Sequence, residues 1–147
     1  MTQDELTQDE ERYASPTADV LLVDFSDGVR CTMAEILRTF GFSVLDADTA
    51  DAALEVLNRH RVGVIVLEPD LPGRNGLETI EAFAALDDPP PVLVLSARPV
   101  EAGQRERMKH LVTGYLQKPV SPEALMETLR ATLEGRETGE RRHSRSM

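Results

Sequence analysis

Val64-Ile65-Val66-Leu67 runs without a break into Glu68-Pro69-Asp70-Leu71-Pro72-Gly73. An apolar run closed by turn residues suits a strand buried on both faces, the setting of a parallel sheet. The same form returns in Val20-Leu21-Leu22-Val23, which closes on Asp24, and in Val92-Leu93-Val94-Leu95, which closes on Ser96. In an open α/β sheet, ligands sit just past the carboxyl ends of such strands. Chemistry is therefore expected at these ends, with Glu68 and Asp70 foremost.

Helical patterns fill the spaces between the strands. Gly28 opens one with Val29, Met33, Ile36, Leu37 and Phe40 on a single stripe, and Gly41 ends it. A weaker, edge-like strand covers Phe42 to Ala47. Asp48 or Thr49 caps a second helix whose inner residues are Ala50, Ala53, Leu54 and Leu57. A third helix carries Leu77, Ile80, Phe83 and Ala84 inward and stops at Asp87-Asp88-Pro89-Pro90-Pro91. Residues 99–111 read as a mostly polar fourth helix. Gly114 to Gln117 is a short fifth strand, and Ser121-Pro122-Glu123 starts a fifth helix lined by Leu125, Leu129 and Leu133. Crossovers between parallel strands are right-handed almost always. The expected fold is α/β, a doubly wound parallel sheet of five strands.

The chain of 147 residues is long enough for one domain with a full core. Residues 1–17 are acidic and nearly free of apolar side chains, which reads as a disordered tail. Residues 135–147 read as a second tail, polar with a basic end. The domain is expected over 18–134. A net charge of -10 argues against nucleic acid as a partner and against an anionic membrane surface. No apolar run approaches the roughly 18 residues of a membrane span, and no signal peptide is visible, so a cytoplasmic location is the expectation. The lone Cys31 builds no disulfide framework and reads as a buried thiol on a helix. His60, His110 and His143 are scattered and receive no role.

In five places the chain resembles the receiver domain of two-component response regulators. Val20 to Asp24 is similar to the first strand, which in the family ends in a pair of acids. Leu67 to Gly76 resembles the acceptor loop, with the acceptor four residues before Pro72. Val94-Leu95-Ser96-Ala97 resembles the strand ending in Ser or Thr followed by Ala. Gly114-Tyr115 resembles the strand that bears the switch aromatic, and Lys118-Pro119 the lysine with its proline. The resemblance covers roughly residues 18–134 and implies the flavodoxin-like sheet order 2-1-3-4-5. It also implies the chemistry. An aspartate accepts a phosphoryl group from a phosphohistidine on a sensor kinase, and acids hold Mg²⁺, which takes oxygen ligands. The metal and the lysine neutralise charge on the moving group. The hydroxyl and the aromatic then shift, and the face of helix 4, strand 5 and helix 5 changes partners. Homodimerisation through that face is a further implication.

Two positions depart from the pattern. Glu68 stands at the phosphoacceptor position, and Phe25 stands where the second metal acid belongs. A one-residue slip would make Asp24 the second acid, but the ungapped distance to Gly41 argues against it. Glutamate reaches about 1.5 Å further than aspartate, and a misplacement of about 1 Å can cost roughly a hundredfold. Asp27 either folds back toward an acidic pocket with Asp24 and Asp70 or caps the first helix. Lys118 is expected to pair with Glu68. Glu68 is expected either to need that counter-charge only, or to accept a hydrogen bond from Ser96 and imitate a phosphoryl group in part. Tyr115 is either the switch aromatic or an edge aromatic with its hydroxyl in water. Leu111-Val112 adds bulk where the family has small residues, which would reshape the helix 4 surface.

The expectation is a non-enzymatic, stand-alone response regulator that acts by protein contact, with a sensor kinase or another signalling protein as partner. No cofactor is expected beyond weakly held Mg²⁺, with Asp24 as its ligand. The alternatives are a phosphorylatable receiver using another carboxylate such as Asp70 or Asp27, a structural subunit with a vestigial site, and a small metal-dependent phosphatase.

Overall fold

The computed structural model describes residues 16–146, with side chains described through residue 135. In chain order the elements are β1 (Ala18–Val23), α1 (Asp27–Thr39), β2 (Val44–Ala47), α2 (Ala50–Arg59), β3 (Val62–Leu67), α3 (Gly76–Ala84), β4 (Val92–Ser96), α4 (Ala102–Met108), β5 (Gly114–Gln117) and α5 (Pro122–Ser146). All strand pairs are parallel and the sheet order is β2-β1-β3-β4-β5, as the resemblance implies. The long apolar runs occupy the central strands, where both faces are covered and alternation would leave polar groups in the core. Leu21, Val23, Ile65, Leu67 and Val94 face one cluster with Ile80 and Phe83. Val20, Leu22, Val64, Val66 and Leu95 face the other with Leu37, Leu125 and Leu129.

Local signals behave as their chemistry requires. Thr49, rather than Asp48, caps α2 by accepting the N–H of Ala52. Gly41 adopts φ of 98° past the end of α1. There Gly41 N–H bonds to Arg38 carbonyl and Phe42 N–H to Leu37 carbonyl, a closure that a side chain at Gly41 would strain.

Several expectations need correction. In α1 the buried residues are Ala34 and Leu37, while Val29 and Phe40 are exposed. Met33, Ile36 and Leu37 of the expected stripe do pack on the core, so only its two ends fail, and Arg30 lies partly buried in the first turn, its side chain held by polar contacts. Ser26, not Asp27, caps α1, accepting the N–H of Val29. Cys31 is exposed. α4 is only Ala102–Met108, and Leu111 and Val112 pack against the core rather than building a helix surface. The expected N-terminal tail lies outside the described residues except for Pro16 and Thr17. Thr17 already belongs to the fold, since its N–H donates to the Arg61 carbonyl at 2.8 Å. At the other end the backbone continues as α5 to Ser146, past the boundary at 134.

Candidate functional site

Parallel register assembles the site. Val23 pairs with Leu67, so Asp24 and Glu68 leave adjacent strands at the same level. Glu68 N–H donates to Val23 carbonyl, and Asp24 N–H to Ala47 carbonyl. Ser96 pairs with Gln117, which brings Lys118 alongside; its N–H donates to the Ser96 carbonyl at 2.8 Å. Four residues far apart in sequence, Asp24, Glu68, Ser96 and Lys118, thus share one sheet edge. The acceptor-position loop then folds back tightly. A Cβ at Gly76 would stand 2.8 Å from Pro69 Cβ, so the residue that starts α3 is glycine for lack of room.

Lys118 Nζ lies 2.8 Å from Asp24 Oδ2 and 3.7 Å from Glu68 Oε2. Its closer partner is therefore Asp24, and the pairing expected with Glu68 alone becomes a shared one. The Lys118 side chain is only 20% exposed, and both carboxylates are buried. Two acids on one cation at a dry edge need further donors. Asp24 Oδ1 accepts the Ser26 N–H at 2.9 Å. Glu68 Oε2 accepts the Ala97 N–H at 3.0 Å. The expected bond from Ser96 to Glu68 is not the one formed. The Ser96 hydroxyl donates instead to the Arg98 carbonyl and accepts the Arg98 N–H at 3.1 Å, closing a turn within its own loop.

The remaining acids stand apart from this cluster. The Asp27 side chain is 87% exposed and pairs with Arg30 at 2.7 Å. The Asp70 side chain is 71% exposed and lies 3.9 Å from Arg98. Neither joins an acidic pocket with Asp24, because the α1 N-terminus and the acceptor-position loop turn them to solvent. Phe25, beside Asp24, is 55% exposed. Tyr115 pairs with Val94 in the sheet, away from Glu68, and its ring packs on the core while Arg105 covers it.

Burial pushes the Glu68 carboxyl above the usual glutamate range. Lys118 and the Ala97 N–H pull it down, Asp24 pushes it up, and the Asp70 N–H pulls it down. A folded carboxyl with a raised pKa binds protons more tightly than its unfolded form. Stability from this group is therefore greatest at low pH and is lost as pH rises from the ordinary carboxylate range through the raised value. Glu68→Gln is expected to remove that slope, read by urea unfolding across a pH series; equal slopes in the two proteins would contradict the assignment.

Arg30 was not singled out by sequence. Its guanidinium donates to the Asp24 carbonyl at 2.9 Å and lies 3.6 Å from Asp46, so it ties the end of β1 to α1 and β2. Its position four before Ala34 and seven before Leu37 was the available signal. The Ala97 N–H leaves no sequence signal, being backbone.

The family's magnesium ion asks for several oxygen ligands. Here the two carboxylates are already engaged by Lys118 and backbone N–H groups, and Phe25 supplies no oxygen. Among the described residues no three acid, imidazole or thiol groups converge to hold a metal. The donor set does not fit the ion.

A family model described as the response regulator receiver domain matches residues 20–130. Response regulator MprA of Mycobacterium leprae is 35% identical over 117 residues, covering 78% of this chain and 50% of that protein. The autoinducer 1 sensor kinase/phosphatase LuxN of Vibrio campbellii is 31% identical over 117 residues, covering 78% of this chain and 13% of that protein. The chain thus spans about half or less of the length of the curated relatives it matches. A solved CheY-like receiver domain from Methanospirillum hungatei JF-1 shares the fold with a TM-score of 0.78 at 21% identity, covering 83% of this chain and 98% of that one. Chemotaxis protein CheY4 of Vibrio cholerae gives a TM-score of 0.72 at 29% identity, covering 78% of this chain and 98% of that one. Among the described residues no helix is long and apolar enough to cross a membrane. With the sheet order, the edge residues and a family match over most of its length, the chain belongs to the response regulator receiver domains, signalling domains that act with sensor kinases and other signalling proteins.

Proposed function

We propose that this receiver signals by protein contact without Mg²⁺-dependent phosphorylation of an acidic side chain, and that Glu68 stands in part for a phosphoryl group. One observation carries the reading. The Glu68 carboxylate reaches from the end of β3 to the Ala97 N–H beyond β4 while lying 3.7 Å from Lys118 Nζ. A buried carboxylate so held ties the β4–α4 loop to the acidic edge continuously. It carries one charge and two oxygens, where a phosphoryl group brings about -2 and three. The imitation is partial and leaves the Ser96 hydroxyl in its own turn. The contact surface in this reading is the face of α4, β5 and α5, open to a signalling protein or a second copy. Asp70 is a weaker acceptor candidate, since it is exposed and apart from Lys118.

Acetyl phosphate with Mg²⁺, followed by intact-mass and peptide mass spectrometry, tests the proposal. The expected result is an unmodified chain. A stable, Mg²⁺-dependent acyl phosphate on Glu68 or Asp70 would overturn it.

A further inference from the structure

We propose that Arg105 is a positioning residue that clamps the Tyr115 ring against the core, and that releasing it turns the ring out to solvent.

The guanidinium carbon of Arg105 lies 4.8 Å from the centroid of the Tyr115 ring, within the range of a cation–ring attraction. The ring packs on the cluster that contains Met108, with Val100, Leu111 and Val112 alongside. The Tyr115 hydroxyl is buried and has no hydrogen-bond partner among the described residues. A buried donor without a partner favours any arrangement that returns it to water. Two opposed preferences therefore meet in one side chain. Apolar packing and the cation hold the ring in, and the orphaned hydroxyl drives it out. The Ser96 hydroxyl is committed to Arg98 and does not bond to the Tyr115 hydroxyl.

α4 is suited to act as the movable part. It has seven residues, its capping position makes no side-chain bond, and Met108 is its sole buried residue. The contact between Arg105 and Tyr115 joins α4 to β5, which is an edge strand. The clamp thus decides whether the α4–β5 surface presents a flat arginine or an exposed phenol. Its use in signalling rests on the contact role proposed above, but the ring position is measured independently of that role. A phosphorylated wild type would refute the proposed function and leave the clamp standing.

The chain has two tyrosines, Tyr13 and Tyr115, so Tyr13→Phe isolates the second for absorbance titration of its phenol. Burial raises the Tyr115 pKa and the Arg105 charge lowers it. If Arg105 is only a neighbour, Arg105→Gln removes a positive charge and the midpoint rises further. If Arg105 is the clamp, the ring leaves the core and the midpoint falls toward the ordinary value of about 10. The expected result is the fall, together with several-fold faster nitration by tetranitromethane near pH 8, and recovery of both readings in Arg105→Lys. A raised or unchanged midpoint with unchanged nitration in Arg105→Gln would overturn the proposal. So would failure of Arg105→Lys to recover. Arg105 sits on an exposed helix face, and far-ultraviolet circular dichroism checks that the fold is kept.

Discussion

Lys118→Met is expected to lower folding stability by about 3 kcal/mol, the largest loss from any single change at the sheet edge. Lys118 is the shared counter-charge of Asp24 and Glu68, at 2.8 and 3.7 Å, and both acids are buried. Methionine fills the same space without charge, so packing loss is small and the cost comes from two carboxylates facing each other unpaired. Backbone donors remain, Ser26 N–H for Asp24 and Ala97 N–H for Glu68 among them, which limits the damage. The pH dependence carries the signature. Without the lysine, the Glu68 carboxyl loses its main downward influence and its pKa climbs further. Because the folded form then holds its proton more tightly, the deficit shrinks as pH falls through the raised value and is full above it. Urea unfolding of both proteins over a pH series would show this. A uniform deficit at all pH values would assign the loss to packing instead. Adding Glu68→Gln to the variant should recover much of the neutral-pH loss, since one of the two unpaired charges is removed.

The second large effect is a gain. Phe25→Asp combined with Glu68→Asp is expected to give a chain that takes phosphate from acetyl phosphate in a Mg²⁺-dependent way, where the proposed function expects none to be taken by the wild type. Phe25 follows Asp24 directly and its side chain is exposed, so an aspartate there costs no core packing. It would add the oxygen ligands that the present donor set lacks. Shortening Glu68 moves the carboxylate back toward the strand end, where a step governed by positioning regains roughly a hundredfold. Neither change alone supplies both parts, so each single variant should fall far short of the pair. Intact mass with and without Mg²⁺ reads the modification. Thermal unfolding gives a reading that needs no chemistry: three carboxylates around Lys118 repel one another, so Mg²⁺ should stabilise the double variant and leave the wild type unmoved. A double variant that neither binds Mg²⁺ nor gains phosphate would mean that positions 25 and 68 are not what sets this chain's chemistry.

Much of the fold was legible because the sheet is parallel and covered on both faces. Such strands must be continuous apolar runs, and Val20–Val23, Val64–Leu67 and Val92–Leu95 could take few other forms. The edge positions followed from their places after those runs, and Asp24, Glu68, Ser96 and Lys118 all lie at the expected end of the sheet. α1 was less legible. Its stripe reading sent Val29 and Phe40 inward, whereas Arg30 holds the inner first turn through the Asp24 carbonyl and Asp46. A periodic pattern cannot show that a charged residue will be kept inside by partners from two other segments. α4 was also read too long, since a polar stretch near Pro99 has no apolar period to mark its ends.

At the acidic edge, the sequence pattern put Asp24, Glu68 and Lys118 at strand ends, and the family resemblance supplied the strand order that brings them together. Neither determined who bonds to whom. Lys118 chooses Asp24 over Glu68 by about 1 Å, Glu68 takes the Ala97 N–H, and Ser96 turns to Arg98. Those choices depend on backbone N–H groups, which every residue carries alike, and on distances of a few tenths of an ångström that only the packed sheet sets. The same holds for Arg105 over Tyr115, ten residues apart on a helix and an edge strand. Residue types and their order specify the charges available at an edge; the close-packed tertiary structure decides how those charges are paired.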